Sequence, residues 1–497
     1  MKRKPTRREF LGAAAVGTVG STLTGPAVAQ PRKSIQEAVV AGGDPPIRIA
    51  TIGIRGQGNG LARSFAEQPG AQLVALCDVD SDILATRQKE FADRGVETRT
   101  HGDPREIFAA DDIDAVVIAT PNHTHALLAV WALEAGKHVY VEKPVSQVVK
   151  EGRAIVDAAE RTGLVCQTGT HGRSADAVRQ AIEFVHTGGI GKVTCSRGLC
   201  YKPRRSIGQV KGPQFAPSSV DYDRWLGPVA YQPLDRRNLH YDWHWNDQTG
   251  NGDLGNQGIH QMDIARWALN AQALPSRVFS LGGRFGYEDD GNTPNTHVVL
   301  LDYDEAPLIF EVRGLPQNKA EQSGKWKMDK YMGHSIGNIV HGEKGTVRIS
   351  NSYGNADAID LEGKKIASWK GGGDHRRNFV AAVRAKDPSM LTAPIIEGHL
   401  SSACCHLGLV SHQMGRPMNA SELNGNVSKN PQMADAWNRM KQHLMANEVD
   451  MSGTPITVGL ELDIDVDRES AIRNPQANAM FTRTCREPFT FPNGLPA

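Results

Sequence analysis

One stretch, residues 47–168, constrains the fold of this chain more than any other. Short apolar runs of strand length (47–53, 72–77, 115–120, 138–142 and a weaker 164–168) alternate with segments that read as helices (61–68, 83–94, 125–135 and 151–162). A strand that returns parallel to its predecessor needs a crossover, and a helix in each crossover covers the sheet. Strands buried on both faces read as continuous apolar runs, as these do. The expectation is a parallel, doubly wound α/β sheet over residues 47–168.

The character changes after Gly169. Runs at 193–201, 277–282, 297–303, 308–313, 337–341 and 345–350 include several with alternating apolar and polar residues, the mark of a half-exposed sheet. Residues 169–415 are therefore expected to form an α+β domain with a helix at 175–186 and a large, mostly antiparallel sheet, on which helices at 259–269 and 378–385 pack. Residues 416–497 are polar and irregular apart from one helix near 433–446, and read as a C-terminal extension.

A glycine-rich turn follows the first strand: Gly53-Ile54-Arg55-Gly56-Gln57-Gly58. Glycines there let backbone N–H groups approach a pyrophosphate, and the start of the next helix adds favourable partial charge. Arg55 stands where the G-x-G-x-x-G pattern has its middle glycine. The second strand ends at Asp78, a carboxylate placed to accept hydrogen bonds from ribose hydroxyls and to repel a 2′-phosphate. NAD is the expected cofactor, with NADP kept as a lesser option by Arg55. The alternative is a plain glycine turn with a helix-capping Asp. Thr120, Asn122 and His125 follow the third apolar run, and Glu142-Lys143-Pro144 ends the fourth. Both lie at C-terminal strand ends, where open α/β sheets bind ligands.

Together the glycine loop, the Asp78 strand end, Thr120-Pro121-Asn122-His123-Thr124-His125 and Glu142-Lys143-Pro144 resemble the Gfo/Idh/MocA oxidoreductases over about residues 47–415. The resemblance implies a Rossmann domain, an open-sheet second domain, a substrate between them, and homo-oligomers. It also implies that Lys143 lies near the nicotinamide and the reacting carbon. A second segment, Asn251 to Asp263, resembles the family's G-x-H-x-x-D motif, with His260 and Asp263 three apart on one helix face. An imidazole backed by a carboxylate suits proton transfer near neutral pH. The family often has Asp four residues before that His; here it is Asn256. Lys143, His260, Asp263 and Tyr201 are thus the candidate catalytic residues. Gly53, Arg55, Gly56, Gly58, Asp78, Thr120, Asn122, His125, Glu142 and Lys143 are the candidate cofactor contacts.

His171, at the domain junction, and Tyr241, His244 and Asn256 are the candidate substrate contacts. The segment His240-Tyr241-Asp242-Trp243-His244-Trp245 suits a sugar ring and equally suits an aromatic packing cluster. Tyr201 ends a strand expected to face the cleft. No close metal-ligand motif appears, so no metal is expected. The reading is an NAD-dependent oxidoreductase acting on a hydroxyl-bearing carbon of a sugar, polyol or glycoside. The alternatives are an NAD-dependent glycosidase of the same fold, working by transient oxidation and elimination, and a non-catalytic sugar-binding protein.

Residues 1–29 carry a basic region with Arg7-Arg8, a mildly apolar run and Ala27-Val28-Ala29, which resembles a twin-arginine export signal. Residues 30–46 read as a linker. The expectation is a periplasmic or otherwise exported protein that meets the twin-arginine translocase. Removing the leader takes away five cations and one anion, so the whole-chain balance of 56 Lys+Arg against 55 Asp+Glu becomes 51 against 54. That charge lends no support to a nucleic-acid partner. Beyond the leader no run reaches the length of a membrane span, and seven Cys in 497 residues make no disulfide scaffold.

Overall fold

The structure, a computed structural model, describes residues 45–423 and 430–496. The expected leader, and the linker up to residue 44, lie outside the described residues. Six strands form the first sheet: β1 (Ile47–Ile52), β2 (Ala71–Cys77), β3 (Arg99–His101), β4 (Ala115–Ile118), β5 (His138–Val141) and β6 (Cys166–Thr168). Their order is β3-β2-β1-β4-β5-β6 and every pairing is parallel. The chain runs outward from β1 to β3, then returns to β4 on the other side of β1. That reversal opens a crevice above the C-terminal ends of β1 and β4.

Alternation along the strands splits the core in two. Ala50, Ile52, Val116, Ile118, Val139 and Val141 pack under the helices Asn122–Glu134 and Val149–Thr162. Ile49, Ala115, Val117 and Tyr140 pack on the other face, with Leu61 and Phe65 from the helix Gly56–Ala66. The helix His375–Ala385 shares that second face through Phe379, Val380 and Val383. This corrects the expectation that it packs on the second domain's sheet. An apolar helix stripe does not say which sheet it covers.

The second sheet has twelve strands: β7 (Val193–Tyr201), β8 (Arg277–Gly283), β9 (Thr296–Asp302), β10 (Leu308–Arg313), β11 (Ile336–Gly342), β12 (Gly345–Ser350), β13 (Asn355–Ile359), β14 (Lys365–Lys370), β15 (Arg416–Met418), β16 (Ile456–Val458), β17 (Leu462–Asp465) and β18 (Ser470–Ala471). The main path runs β14-β13-β12-β11-β7-β10-β9-β8-β16-β15, parallel only where β10 meets β7. The helix Gly258–Ala268 lies on one face with Ile395–Gln413 beside it.

Residues 416–496 are more than an appendage. They supply β15–β18, and their helix Pro431–Ala446 covers the other sheet face with Met433, Trp437, Met440 and Leu444. Among the described residues no helix is long and apolar enough to cross a membrane.

Candidate active site

A cleft of about 490 Å³ lies between the crevice of the first sheet and the second domain. Its floor is the glycine turn. Gly53 has φ +80°, and a Cβ on Gly58 would lie 1.7 Å from the Gly53 carbonyl oxygen. Only glycine fits either position. No side chain caps the helix that starts at Gly56, and its first turn holds no acid, so its N-terminal partial charge stays available to an anion. A Gly58→Ala variant is expected to open the turn and weaken dinucleotide binding about 100-fold, in line with an ångström-scale misplacement, as read by fluorescence titration.

Asp78 lies at the end of β2. Its Oδ2 accepts from the Ile54 N–H at 2.9 Å and its Oδ1 from the Asp80 N–H at 3.0 Å, and each oxygen keeps a lone pair for a ribose hydroxyl. Burial pushes its pKa up to about 6, against the pull of those two N–H groups. The folded value lies above the ordinary one, so the group takes up its proton as pH falls through about 6. Dinucleotide affinity is therefore expected to be full above pH 6 and to fall about tenfold per unit below it. In Asp78→Asn the profile in that range should be flat. Arg55 forms an ion pair with Asp80 at 2.9 Å instead of standing free for a phosphate.

The remaining predicted cofactor residues converge on the same cleft. Thr120, Asn122, His125, Glu142, Arg55 and Gly56 all line it. His125 is held between the carbonyl oxygens of Pro144 (2.7 Å) and Thr120 (2.6 Å), which ties the two strand-end segments together. Asn122 donates to Asn251 Oδ1 at 2.9 Å. Glu142 accepts from Gln57 Nε2 at 3.1 Å, a contact that nothing in the sequence pattern marks.

At the reacting end, the Lys143 Nζ donates to the Asn256 carbonyl oxygen at 2.8 Å. Burial lowers the Lys143 pKa; Lys202 and Arg204 act the same way, while Glu142 and Asp253 oppose it. His260 lines the same wall. Burial, then the Lys143 charge, holds its pKa well below the ordinary value, and its Nδ1 has no hydrogen-bond partner. His260 is thus a neutral imidazole at pH 7. His171 stands edge-on to it, with ring centroids 4.9 Å apart. His244 stacks on Trp243 at 3.7 Å, and Tyr241 reaches the Arg204 guanidinium at 3.4 Å. Arg204 in turn is clamped by the fully buried Asp253 at 2.6 and 2.9 Å. Lys202 donates to Gln257 Oε1 at 2.7 Å.

Two predicted catalytic residues lie elsewhere. Successive residues of a strand face opposite ways. In β7 Ser196 reaches the carbonyl of Ala265 on the helix-covered face, so the odd-numbered Tyr201 points to the other face. There its hydroxyl donates to Glu311 at 2.8 Å beneath Arg313, and it does not line the cleft. Asp263 does not back His260 either. Arg173 holds it at 2.8 and 3.0 Å, and Ser401 donates to it at 2.8 Å. Helical spacing put Asp263 on the right side of the helix, but partners from distant segments took it.

A parallel sheet with a glycine turn at its switch point, an acid at the end of its second strand, and a lysine and an imidazole lining one cleft defines a two-domain dinucleotide-binding protein. Residues 47–170 match the family model described as oxidoreductase family, NAD-binding Rossmann fold, and residues 176–279 match that family's C-terminal alpha/beta domain. Residues 47–170 and 176–279 thus carry the two domains of the Gfo/Idh/MocA oxidoreductase family. Its curated relatives include a glycosyl hydrolase family 109 protein of Shewanella pealeana, 34% identical over 33% of this chain and 39% of that one. A levoglucosan dehydrogenase of Pseudarthrobacter phenanthrenivorans is 35% identical over 42% of this chain and 47% of its own length. The NAD(+)-dependent scyllo-inositol 2-dehydrogenase of Bacillus subtilis is 33% identical over 31% of this chain and 44% of that one. The chain thus spans less than half the length of these relatives. Among solved structures, levoglucosan dehydrogenase in complex with NADH shares the fold at TM-score 0.56, 18% identity and coverage of 73% of this chain and 96% of that one.

Proposed function

We propose that the protein is an NAD-dependent oxidoreductase that moves hydride to or from a hydroxyl-bearing carbon of a sugar, polyol or glycoside. The observation that carries this reading is that one cleft is lined both by Lys143, whose Nζ the Asn256 carbonyl holds at 2.8 Å, and by His260, whose Nδ1 has no hydrogen-bond partner. NAD, when bound, supplies the hydride acceptor or donor. The glycine turn seats its pyrophosphate, and Asp78 holds its ribose and disfavours a 2′-phosphate. Lys143 Nζ, already directed by the Asn256 carbonyl, donates to the substrate oxygen and stabilises negative charge that develops there. His260 is unprotonated at pH 7 and so is ready to accept the hydroxyl proton. Tyr241, Trp243 and His244 offer aromatic faces to a sugar ring.

The proton-handling groups of this site also suit a redox-neutral glycosidase. A carbonyl formed next to a C–H acidifies it, and the same Lys143 and His260 then serve elimination. The glycosyl hydrolase family 109 relatives support this second reading over about a third of the chain. The test is a panel of free sugars, polyols and aryl glycosides with NAD and with NADP. Stoichiometric NADH from a free sugar or polyol supports the dehydrogenase. Aglycone release without net NADH supports the glycosidase. A protein that binds no NAD at millimolar concentration is neither, and leaves the sugar-binding reading. The Arg7-Arg8 leader supports export through the twin-arginine route, a path suited to a protein that folds around its cofactor first. Exchange of Arg7-Arg8 for Lys-Lys should leave the protein in the cytoplasm; unchanged export removes that assignment.

A further inference from the structure

The far end of the same cleft is built partly by the last residues of the chain. Phe489 lines the cavity that also holds Asp78, and it is only 7% exposed. Its ring stacks beside Trp131 of the helix that follows β4, at 6.4 Å between centroids and 25° between planes. The Arg486 guanidinium covers it at 4.7 Å. The tail is tied down on both sides. Trp131 Nε1 donates to the Thr490 carbonyl at 3.1 Å, and Phe491 lies in the core of the first domain. Arg486 donates to the Val229 carbonyl at 2.9 Å and pairs with Asp223 at 2.7 Å, both in the second domain.

Lys143 and His260 mark the reacting end, the glycine turn marks the middle, and Asp78 marks a ribose. In the segments that follow β2 and β3 and on the helix after β4, the lining includes the apolar residues Val79, Pro104, Leu128 and Trp131, with Phe489 stacked beside Trp131. The charged groups there, Asp103 and Arg224, pair with each other at 3.5 Å. A flat, uncharged aromatic base suits such walls, because every base presents a π face to an aromatic ring.

We propose that the C-terminal tail, through Phe489, forms a wall of the adenine half of the dinucleotide site. The inference rests on the cofactor reading above. It assigns the tail a ligand-binding task that no residue pattern at the end of the chain announces. Because Arg486 joins the second domain and Trp131 the first, the tail also sets the width of this end of the cleft.

The test is calorimetric titration of full-length wild type, Phe489→Ala and Phe489→Leu with NAD, ADP-ribose and nicotinamide mononucleotide. Phe489→Ala should weaken NAD and ADP-ribose alike by about tenfold and leave nicotinamide mononucleotide unchanged. Phe489→Leu keeps the core filled while removing the π face, so it carries the test if the alanine variant does not fold. Equal affinity for NAD and ADP-ribose in wild type and folded variants overturns the proposal alone. Equal weakening of all three ligands overturns it too, because the tail then supports the domain as a whole. A wild type that binds no dinucleotide overturns both this inference and the cofactor reading beneath it.

Discussion

Lys143→Ala is expected to lower kcat by about 10²–10⁴-fold while the protein stays folded and retains NAD. Three features make this the largest catalytic effect available. The ammonium is part-buried in the cleft, so its interaction with a developing oxyanion is less screened than at an open surface. Its Nζ is directed by the Asn256 carbonyl at 2.8 Å, so little reorganisation is needed when substrate arrives. Burial already lowers its pKa, which brings the acid closer to the working pH. Alanine removes the charge and the donor, and His260 alone cannot replace them because it is neutral at pH 7. Lys143→Arg should rescue little, since a planar, always-charged guanidinium neither gives up a proton nor fits the same contact. The measurement is steady-state kcat and KM with the best substrate of the panel, beside an NAD titration and a melting curve. Full activity in folded Lys143→Ala would remove this residue from the mechanism.

Glu311→Ala is expected to destabilise the second domain by about 3–5 kcal/mol, the usual result of stripping one partner from a buried ion cluster. Glu311 is 1% exposed and sits among three guanidinium groups. Arg439 binds both its oxygens at 2.6 and 2.7 Å, Arg197 lies at 3.3 Å and Arg313 at 3.5 Å. Tyr201 donates to it as well. Burial alone would raise the Glu311 pKa, but the arginines outweigh it and hold the value below the ordinary one. A depressed carboxylate contributes stability that is complete above its unfolded pKa and is lost as pH falls toward the folded one. Wild type should therefore lose this contribution only in acid, whereas Glu311→Ala lacks it at pH 7, where Arg197 and Arg313 stay buried and charged. The reading is a lowered midpoint in urea at pH 7, with the wild-type advantage shrinking below about pH 4. Glu311→Gln should fall between the two. An unchanged midpoint for a folded Glu311→Ala would show that water or a side-chain shift absorbs the freed charges.

Local pattern was enough for the first domain. Strands buried on both faces carry unbroken apolar runs, so β1, β2, β4 and β5 were legible within a few residues of their ends. The three-residue β3 and the short helix Pro104–Phe108 were not, because neither is long enough to carry a period. The helix Ile395–Gln413 escaped notice for the opposite reason. It is buried nearly all round and carries His399, Ser401, Ser402, Cys404, Cys405 and His406 inward, so it shows no amphipathic stripe. The strands β13 and β14 lie at an exposed edge, and β15–β17 are too short for their alternation to register.

The site divides along the same line. Gly53, Gly58, Asp78, Lys143 and His260 could be named because each stands at a fixed offset from a strand end or helix start, and local geometry demands its residue type. Tyr201 and Asp263 were misplaced because their roles depend on what approaches from segments far away in the chain. Strand alternation turns Tyr201 to the outer sheet face, where Glu311 and Arg439 engage it, and Arg173 and Ser401 claim Asp263. Gln57 against Glu142, Lys202 against Gln257 and Phe489 at the cleft's far end are meetings across 50 residues or more, for which one sequence carries no signal.

By itself, then, the sequence determined the doubly wound first domain, the glycine turn and acid that suit a dinucleotide, and the lysine at the end of its fourth long strand. Those follow from period, strand-end position and the steric uniqueness of glycine, all of which act within a few residues. Only the tertiary structure decided that His171 stands against His260, which carboxylate serves a buried arginine cluster instead of the chemistry, and that Phe489 near the chain's end returns to line the cleft. Burial and ion pairing act between whatever surfaces the completed fold brings into contact, and no local rule along the chain specifies those partners.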